Sequence, residues 1–505
     1  MFKRFTDSMR WLHTWAGLVL GWLLFAVFLT GTLAFFQFEI TRWMQPELSH
    51  PANSATAIGQ AQAYLTKHAS DSPRWSIGVP TSRESVTTLF WRPADNSGRR
   101  FQRATLDGTG NEVSIRDTRG GNFLYRFHFD LHYMPVLWAR WLVGIAAMCM
   151  LVAIVTGVVI HKKIFKDFFT FKPGSGMRSW LDAHTLSSVL ALPFHFMITY
   201  TGLVTLMLMY FIWAINLSHG DRNQLFNSIN AGISPPEAAG ISAPLVDLQA
   251  IFDDARHRAH GAEFSFISVI NPGDKNGVME LTEAPTRSLI SSYQKLVYST
   301  ATGELLSDEP VTSAAEQTRR TMINLHAGRF SDWPLRWLYF ISGLVGTVMV
   351  ATGLVLWSKK RAKQYQHAGH KLVHALNFGA IMGLPFAIGC YFVANRLLAT
   401  TMDNRAEMEI DLFFAGWLLM FVFGVVRNPS AHWRDGALLT ATMYLLLPVF
   451  SVLSVGKHIG NYRLPDDSPL LYMDIVLIIS GLLFYAMAWQ QGKKHQRYQM
   501  ERQPA

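Results

Sequence analysis

Four histidines recur at matching positions of a repeated pattern, and an imidazole can hold a metal or carry a proton near neutral pH. His13 lies in "RWLHTWAGLVLGWLLFAVFLTG", seventeen residues before a Thr-Gly pair, and His184 lies seventeen residues before another. His132 and His326 each follow a leucine and precede an Arg-Trp pair, and a further Thr-Gly pair comes fifteen residues after that tryptophan. An ionisable side chain in an apolar run is costly unless it faces a partner or a cavity, so we interpret these histidines as functional.

The spacing indicates what the histidines could hold. At about 1.5 Å per residue, a straight helix carries the Thr-Gly pair about 25 Å from His13, which is most of the hydrocarbon thickness. His13 and His184 therefore mark the inner face, and His132 and His326 mark the outer face. Two neutral imidazoles facing each other across a helix bundle supply the axial ligands of a b-type haem and leave no open position for oxygen. We predict two bis-histidine haem b groups, one for each pair, that pass electrons across the membrane.

Several alternatives remain within this prediction. His195, in the middle of the third apolar run, could replace one outer ligand, and so could His128, one helical turn from His132. Arg140 and Arg336 recur just inside the outer histidines and could hold haem propionates by charge-assisted hydrogen bonds, although snorkelling to the membrane interface explains them almost as well. Any single histidine could instead bridge two helices as a neutral hydrogen-bonding group. Small residues that let a ring or a helix approach closely recur at Thr30-Gly31, Thr156-Gly157, Thr201-Gly202 and Thr352-Gly353.

The composition requires a membrane environment for these residues. Of the 505 residues, 50% are hydrophobic and only 16% are charged, and several runs approach the roughly 20 residues that cross a bilayer. The expected fold class is mainly α, a polytopic membrane protein with about eight transmembrane helices. The candidate spans are about 11–36, 137–160, 184–213, 335–357, 376–400, 411–427, 436–454 and 470–490.

Charge and cysteine content narrow the function classes. Lys and Arg cluster before the first span, between the second and third, after the fourth and at the end, which predicts that both termini are cytoplasmic. The formal charge of +10 is mostly this orientation signal, so no nucleic-acid partner is expected. The first run is too long for a removed signal peptide. Only Cys149 and Cys390 occur, so a metal centre must rely on histidine rather than thiolate.

Two long segments leave the membrane on the outer side, and each contains an amphipathic helical stretch, strand-like alternation and a turn. The shared order, and the matching spans that follow, indicate a tandem duplication of span, outer module, histidine and span. The expected first half is a transmembrane helix at 1–36, an outer α+β module at 37–136, and helices 2–3 with a cytoplasmic loop at 137–213. The expected second half is another outer module at 214–334, helix 4 at 335–357, a basic cytoplasmic loop at 358–375, helices 5–8 at 376–490 and a cytoplasmic tail at 491–505.

Motifs for other chemistries are absent from the sequence. It contains no HExxH, GxSxG or Walker loop, and no convincing GxGxxG for a nicotinamide or flavin. The electrons would therefore come from a partner, namely a reductase, a cytosolic donor or membrane quinol.

The combined motifs resemble the PepSY-associated transmembrane family in its iron-uptake and ferrisiderophore reductase branch. The stretches that carry the resemblance are "RWLHTWAG", "DLHY", "LDAHTLSSVLALPFHFMITYTG" and "LHAGRF", within residues 1–400. The resemblance implies a bacterial inner-membrane haem oxidoreductase, with periplasmic PepSY modules, that reduces ferric siderophore and releases Fe(II). It also implies functional roles for His13, His132, His184 and His326, with His195 in the matching "LPFHF" segment.

Two other functions fit part of the pattern. A transporter of siderophore or peptide would use the intramembrane histidines as a proton relay, but its usual Gly/Pro-broken helices at the midplane are not obvious in this sequence. A regulator that binds a peptide or protease through the outer modules would leave the paired histidines without a role. Bound haem would distinguish the reductase from both of these alternatives.

Overall fold

The structure is a computed structural model, and it describes residues 4–48, 52–81, 83–84, 86–93, 102–161, 176–210, 236–260, 263–283, 289, 295–308, 314–361, 368–427, 431–464 and 466–500. The chain forms two compact units. The helical unit comprises Met1–Pro46, Arg116–Leu203 and Pro334–Ala505, and the sheet unit comprises Glu47–Ile115 and Val204–Trp333. Most of the basic loop residues between the second and third spans, and residues 362–367, lie outside the described residues.

The helices follow one another along the chain as α1 Phe5–Val19, α2 Gly21–Ala34, α3 Gln37–Met44, α4 Ser54–His68, α5 Gly120–Asp130, α6 Val136–Ile160, α7 Met177–Leu190, α8 Leu192–Thr205, α9 Met207–Tyr210, α10 Leu248–Arg258, α11 Ala314–Ala327, α12 Trp333–Arg361, α13 Ala368–Ile381, α14 Gly383–Leu397, α15 Arg405–Val426, α16 His432–Val455 and α17 Ser468–Met500. The strands are β1 Arg74–Gly78, β2 Thr87–Trp91, β3 Gln102–Leu106, β4 Phe264–Ile270, β5 Val278–Glu283, β6 Lys295–Ser299 and β7 Leu305–Ser307.

The apolar helices fit a multi-pass membrane protein, as the composition predicted. Among the described residues, six spans are long and apolar enough to cross a bilayer, or eight if each of two bent helix pairs counts as one span. The six include α6, α12, α15 and α16, and α13 and α14 together form one of them. The expected number of about eight is therefore reached only with the bent pairs.

The two spans that carry the inner histidines are broken, and the assumption of a straight first helix is wrong. The axis bends by 64° between α1 and α2 and by 68° between α7 and α8. The breaks fall at Leu20 and Ala191, each seven residues after its histidine. Pro193 lies at the second position of α8, where its missing N–H and its ring disfavour continuation of the preceding helix. The 25 Å spacing estimated for a straight helix therefore does not describe this span.

The larger apolar cluster of the helical unit joins α2, α3 and α5 to the later helices α12–α17 and includes the buried Trp43, Phe123 and Tyr391. The helix α1 packs on α6, α2 packs on α5, and α14 packs between α15 and α16. The α5 helix therefore lies against both the first repeat and the helices that follow the duplication.

The sheet unit is one antiparallel sheet of seven strands, in the order β3-β2-β1-β4-β5-β6-β7. Strands from both predicted modules share it, because β1 pairs directly with β4, with Trp75 opposite Val269. The helices α4 and α10 pack on each other, and their apolar side chains bury Ile77, Leu89 and Met279 on one face. The two segments expected as separate modules, 37–136 and 214–334, thus contribute to one unit. The parts of segment 37–136 that form α3 and α5 belong to the helical unit.

Candidate functional site

The structure brings the two predicted inner histidines together. His13 on α1 and His184 on α7 have ring centroids 6.3 Å apart, with the ring planes at 69°. The two short helices that carry them are equivalent parts of the repeat, and each ends at a helix break. Each imidazole of the pair therefore lies on the first half of a broken span.

Backbone carbonyls orient both imidazoles in the same way. Nδ1 of His13 lies 2.9 Å from the Ala153 carbonyl oxygen on α6, and Nδ1 of His184 lies 2.9 Å from the Met349 carbonyl oxygen on α12. A carbonyl only accepts, so Nδ1 carries the proton and Nε2 keeps its lone pair. Among the described residues, no hydrogen-bond partner lies on either Nε2. This arrangement is typical of a histidine that ligates a metal through Nε2.

The Thr-Gly pairs make room for these rings, which gives the repeated motif a specific role. A Cβ on Gly157 would lie 3.3 Å from Cε1 of His13, and a Cβ on Gly353 would lie 3.0 Å from Cε1 of His184. The threonine hydroxyl before each glycine lies 3.3 and 3.4 Å from the same Nδ1 atoms. Small residues at these pairs predict close approach of a helix or a ring, and the rings that Gly157 and Gly353 accommodate are those of His13 and His184.

The His13 and His184 geometry fits haem ligation. Two imidazoles that bind one ion from opposite sides, each at about 2 Å, place their ring centroids roughly 6 Å apart. The observed 6.3 Å agrees with that separation. Within the described parts of the chain, no group of three or more His, Cys, Asp or Glu side chains is arranged to hold a bare metal ion.

At the outer level, His128 shares two features with the inner histidines, a backbone carbonyl at Nδ1 and a glycine close to the ring. Its Nδ1 lies 2.6 Å from the Val27 carbonyl oxygen, and a Cβ on Gly31 would lie 2.6 Å from its ring. Desolvation lowers the pKa of His128 below its ordinary value, which favours the neutral form that binds metals. The sequence signal for this residue is its position one helical turn from His132.

His132 has a different environment. Its backbone adopts a left-handed conformation, with φ of 52°. Its ring stacks on Phe414 at 5.7 Å and meets the edge of Phe123 at 5.8 Å, so it packs against the later helices. Desolvation also lowers its pKa. The geometry therefore favours the alternative outer candidate, His128, while the ligand role of His132 stays a prediction. His326 lies in the last turn of α11, in the sheet unit, and its role also stays a prediction.

His195 is fully buried on α8 and is not paired in the same way. The backbone of Ser188 and of Ser342 approaches the ring, but neither ring nitrogen has a partner at hydrogen-bonding distance among the described residues. The rings of Phe28 and Phe194 lie edge-on, each with its centroid 6.2 Å from the centroid of His195. An unpartnered buried imidazole is costly, so this residue remains a candidate for a cofactor contact.

The two arginines predicted for propionates each have a carboxylate partner. Arg140 donates to Asp130 at 2.9 Å, and Arg336 donates to Glu39 at 3.2 Å. The Arg336 side chain is largely buried, whereas that of Arg140 is 36% exposed. The Arg140 pair joins α6 to α5, and the Arg336 pair joins α12 to α3, so ion pairing is the role that the described contacts show.

We expect Gly31→Ala to displace His128. A Cβ at 2.6 Å forces the ring or α2 to move, which combines overpacking of about 1–3 kcal/mol with a hydrogen bond worth about 0.5–1.5 kcal/mol. Thermal unfolding in detergent should show a lower Tm than the wild type. Gly17→Ala is the matched control, because a Cβ there meets nothing within 4 Å. Equal Tm values for both variants would contradict the close contact.

The fold and the site together define a multi-pass membrane protein with paired histidines on duplicated, broken helices. Residues 10–360 match the PepSY-associated TM region family. The chain therefore belongs to that family. It is also 25% identical, over 380 residues, to the uncharacterized protein PA4219 of Pseudomonas aeruginosa. That alignment covers 70% of this chain and 91% of PA4219.

Proposed function

We propose that this protein is a haem-b-containing reductase of the bacterial inner membrane, which passes electrons from the cytoplasmic side to ferric siderophore in the periplasm. The observation that carries the proposal is the facing pair of His13 and His184, whose Nδ1 atoms bond to backbone carbonyls. That arrangement leaves two Nε2 lone pairs for one iron, and a bound haem supplies reversible one-electron transfer. The clusters of Lys and Arg beside the spans support cytoplasmic termini.

The protein's own residues have three tasks in this proposal. His13 and His184 hold the inner haem, and the Ala153 and Met349 carbonyls fix the ring orientation and the tautomer. His128 is the outer candidate with matching geometry, and His132 and His326 remain outer candidates from the sequence. The apolar helices exclude water from the electron path.

The substrate chemistry supports release of iron by reduction. The oxygen ligands of siderophores bind hard Fe(III) far more tightly than Fe(II), so one electron per iron weakens the chelate. The donor class is a cytosolic reductase or membrane quinol, which is oxidised by one electron for each Fe(III) reduced. The sheet unit, a PepSY-like part in this proposal, faces the periplasm.

Transport is a second candidate, and the structure gives it more support than the sequence did. The breaks at Leu20 and Ala191 are the discontinuous helices that many transporters use at a substrate site. In that case the histidines would serve as a proton relay for a siderophore or peptide. Backbone carbonyls fix the orientation of the His13 and His184 rings, whereas a proton relay needs rings that can exchange hydrogen-bond partners. This arrangement favours haem binding over transport.

The test is an absorption spectrum of the purified protein, oxidised and then reduced, with haem counted per chain. We expect low-spin bands, about two haems and reoxidation of the reduced protein by a ferric siderophore. The Ga(III) chelate of the same siderophore is the control, because it binds alike but does not accept the electron. A colourless protein from haem-replete cells would overturn the reductase proposal. Haem that ferric siderophore does not reoxidise would exclude this substrate class.

A further inference from the structure

The five helices α13–α17 follow the part of the chain that matches the family, which ends at residue 360. Their contacts within the helical unit include a buried ion pair close to the start of α5. The side chains of Arg405 and Glu409 are fully buried and form a salt bridge one helical turn apart on α15. Two charges are rarely removed from water without several further partners, so their other contacts show what the pair holds.

The first set of contacts links Arg405 to the chain that leads into α5. Its Nη1 donates to the Asp117 carbonyl oxygen at 2.9 Å, and its Nη2 donates to the Asn395 carbonyl oxygen. The Asn395 amide in turn donates to Glu409 at 2.8 Å. Arg405 of α15, held by Asn395 of α14, therefore binds the backbone three residues before α5.

The second set reaches the first turn of α5 through Thr118. The Thr118 hydroxyl donates to Glu409 Oε2 and accepts from the Gly120 backbone N–H at 3.0 Å. The Tyr391 hydroxyl donates to the Gly120 carbonyl oxygen at 3.0 Å. The first N–H groups of a helix have no partner within the helix, so Thr118 satisfies one of them. Glu409 thus acts on α5 through one hydroxyl.

Aromatic packing continues the contact along α5. The centroid of Phe123 lies 5.0 Å from that of Phe413, and the centroid of Phe127 lies 5.6 Å from Phe413 and 5.9 Å from Trp417. Such edge-to-face pairs hold a fixed orientation. His128 is the next residue after Phe127, and its Nδ1 lies 2.6 Å from the Val27 carbonyl oxygen on α2. An isolated helix of eleven residues is marginal, so α5 depends for its position on its packing with α2 and α3 and on these aromatic contacts.

We propose that α14 and α15 position the His128 imidazole, by anchoring α5 through the Arg405–Glu409–Thr118 chain and the Phe123 and Phe127 contacts. This inference rests on the proposed function, because it takes His128 as an outer haem ligand. Arg405, Glu409 and Thr118 are positioning residues that act through α5. These two helices, which lie beyond the family region, therefore set the position of one candidate haem ligand, and none of the contacts described above involves His13 or His184.

The experiment compares low-spin electron paramagnetic resonance signals of the full-length protein for Thr118→Val, Thr118→Ser and Thr440→Val. Valine at 118 removes the hydroxyl between Glu409 and Gly120, and we expect a shift or loss of one haem signal with the other unchanged. Serine restores the hydroxyl and should restore the signal. Thr440 is the matched control, because it is a buried threonine of α16 whose hydroxyl meets Gly436 and Met382 rather than α5. Glu409→Gln should reproduce the valine effect.

A further variant, His128→Ala, identifies the affected signal. It should abolish the same signal that Thr118→Val shifts. Two unaltered signals in Thr118→Val, or equal changes in both, would overturn the positioning inference and leave the reductase proposal standing. Retention of both signals in His128→Ala would remove the ligand on which the inference depends. A wild-type protein without haem would instead defeat the proposed function, so the two failures are distinguishable.

Discussion

Alanine in place of His13 or of His184 is expected to remove about half of the haem in the proposed reductase, because the two imidazoles, whose ring centroids lie 6.3 Å apart, would together hold one iron. Loss of either ligand leaves an open position and a weakly held group, so the two variants should have the same effect rather than additive ones. The measurement is haem per chain in purified protein, together with the low-spin bands of the remaining haem. The double variant should retain the same half.

His458→Ala is the control for this experiment. His458 lies in an exposed loop, where its Nδ1 accepts from the Gly460 backbone N–H, and it should keep the full haem content. Full haem in both His13→Ala and His184→Ala would show that the facing pair holds no haem. Haem loss in only one of them would mean that the other ligand lies elsewhere.

Arg405→Ala is expected to destabilise the protein by about 3–5 kcal/mol, because Glu409 would remain buried with an unpaired charge. The thermal midpoint in detergent measures the loss. The substitution also leaves the carbonyl oxygens of Asp117 and Asn395 without their donor. This prediction concerns stability alone and requires no haem.

Arg427→Ala is the comparison for Arg405→Ala. Arg427 pairs with Asp435, but its side chain is 51% exposed, so the pair should contribute at most about 1 kcal/mol. A Tm loss for Arg405→Ala no larger than that for Arg427→Ala would contradict the role given to the buried pair.

The limits of the sequence prediction are visible at particular residues. The spacing of His13 and His184 identified them as a pair, since the duplication placed both at one level of equivalent spans. The same spacing argument chose His132 over His128, because it counted residues from Leu-His and could not show where α5 ends. The backbone turns at Leu131 and His132, both with φ of 52°, and this turn separates the two rings. His128 and His132 are four residues apart in the sequence, but their rings lie in two different environments.

Helix breaks were also invisible to periodicity. The run from His13 to Thr30 is uniformly apolar, and hydropathy measures how well a segment suits lipid rather than whether it is straight. Likewise, alternation predicted strands in both outer segments, but only β-ladder partners decide whether two segments share a sheet. The direct pairing of β1 with β4 made one sheet of them.

The sequence by itself determined the membrane class, the duplication, the strand-bearing segments and the histidines worth testing, because composition and spacing are local properties that repeat along the chain. Only the tertiary structure decided which carbonyl orients each ring, which glycine faces it and that α14 and α15 hold the start of α5. Those facts join residues 140, 165 or 288 positions apart. Contacts at such separations depend on how helices pack, which no periodic pattern records.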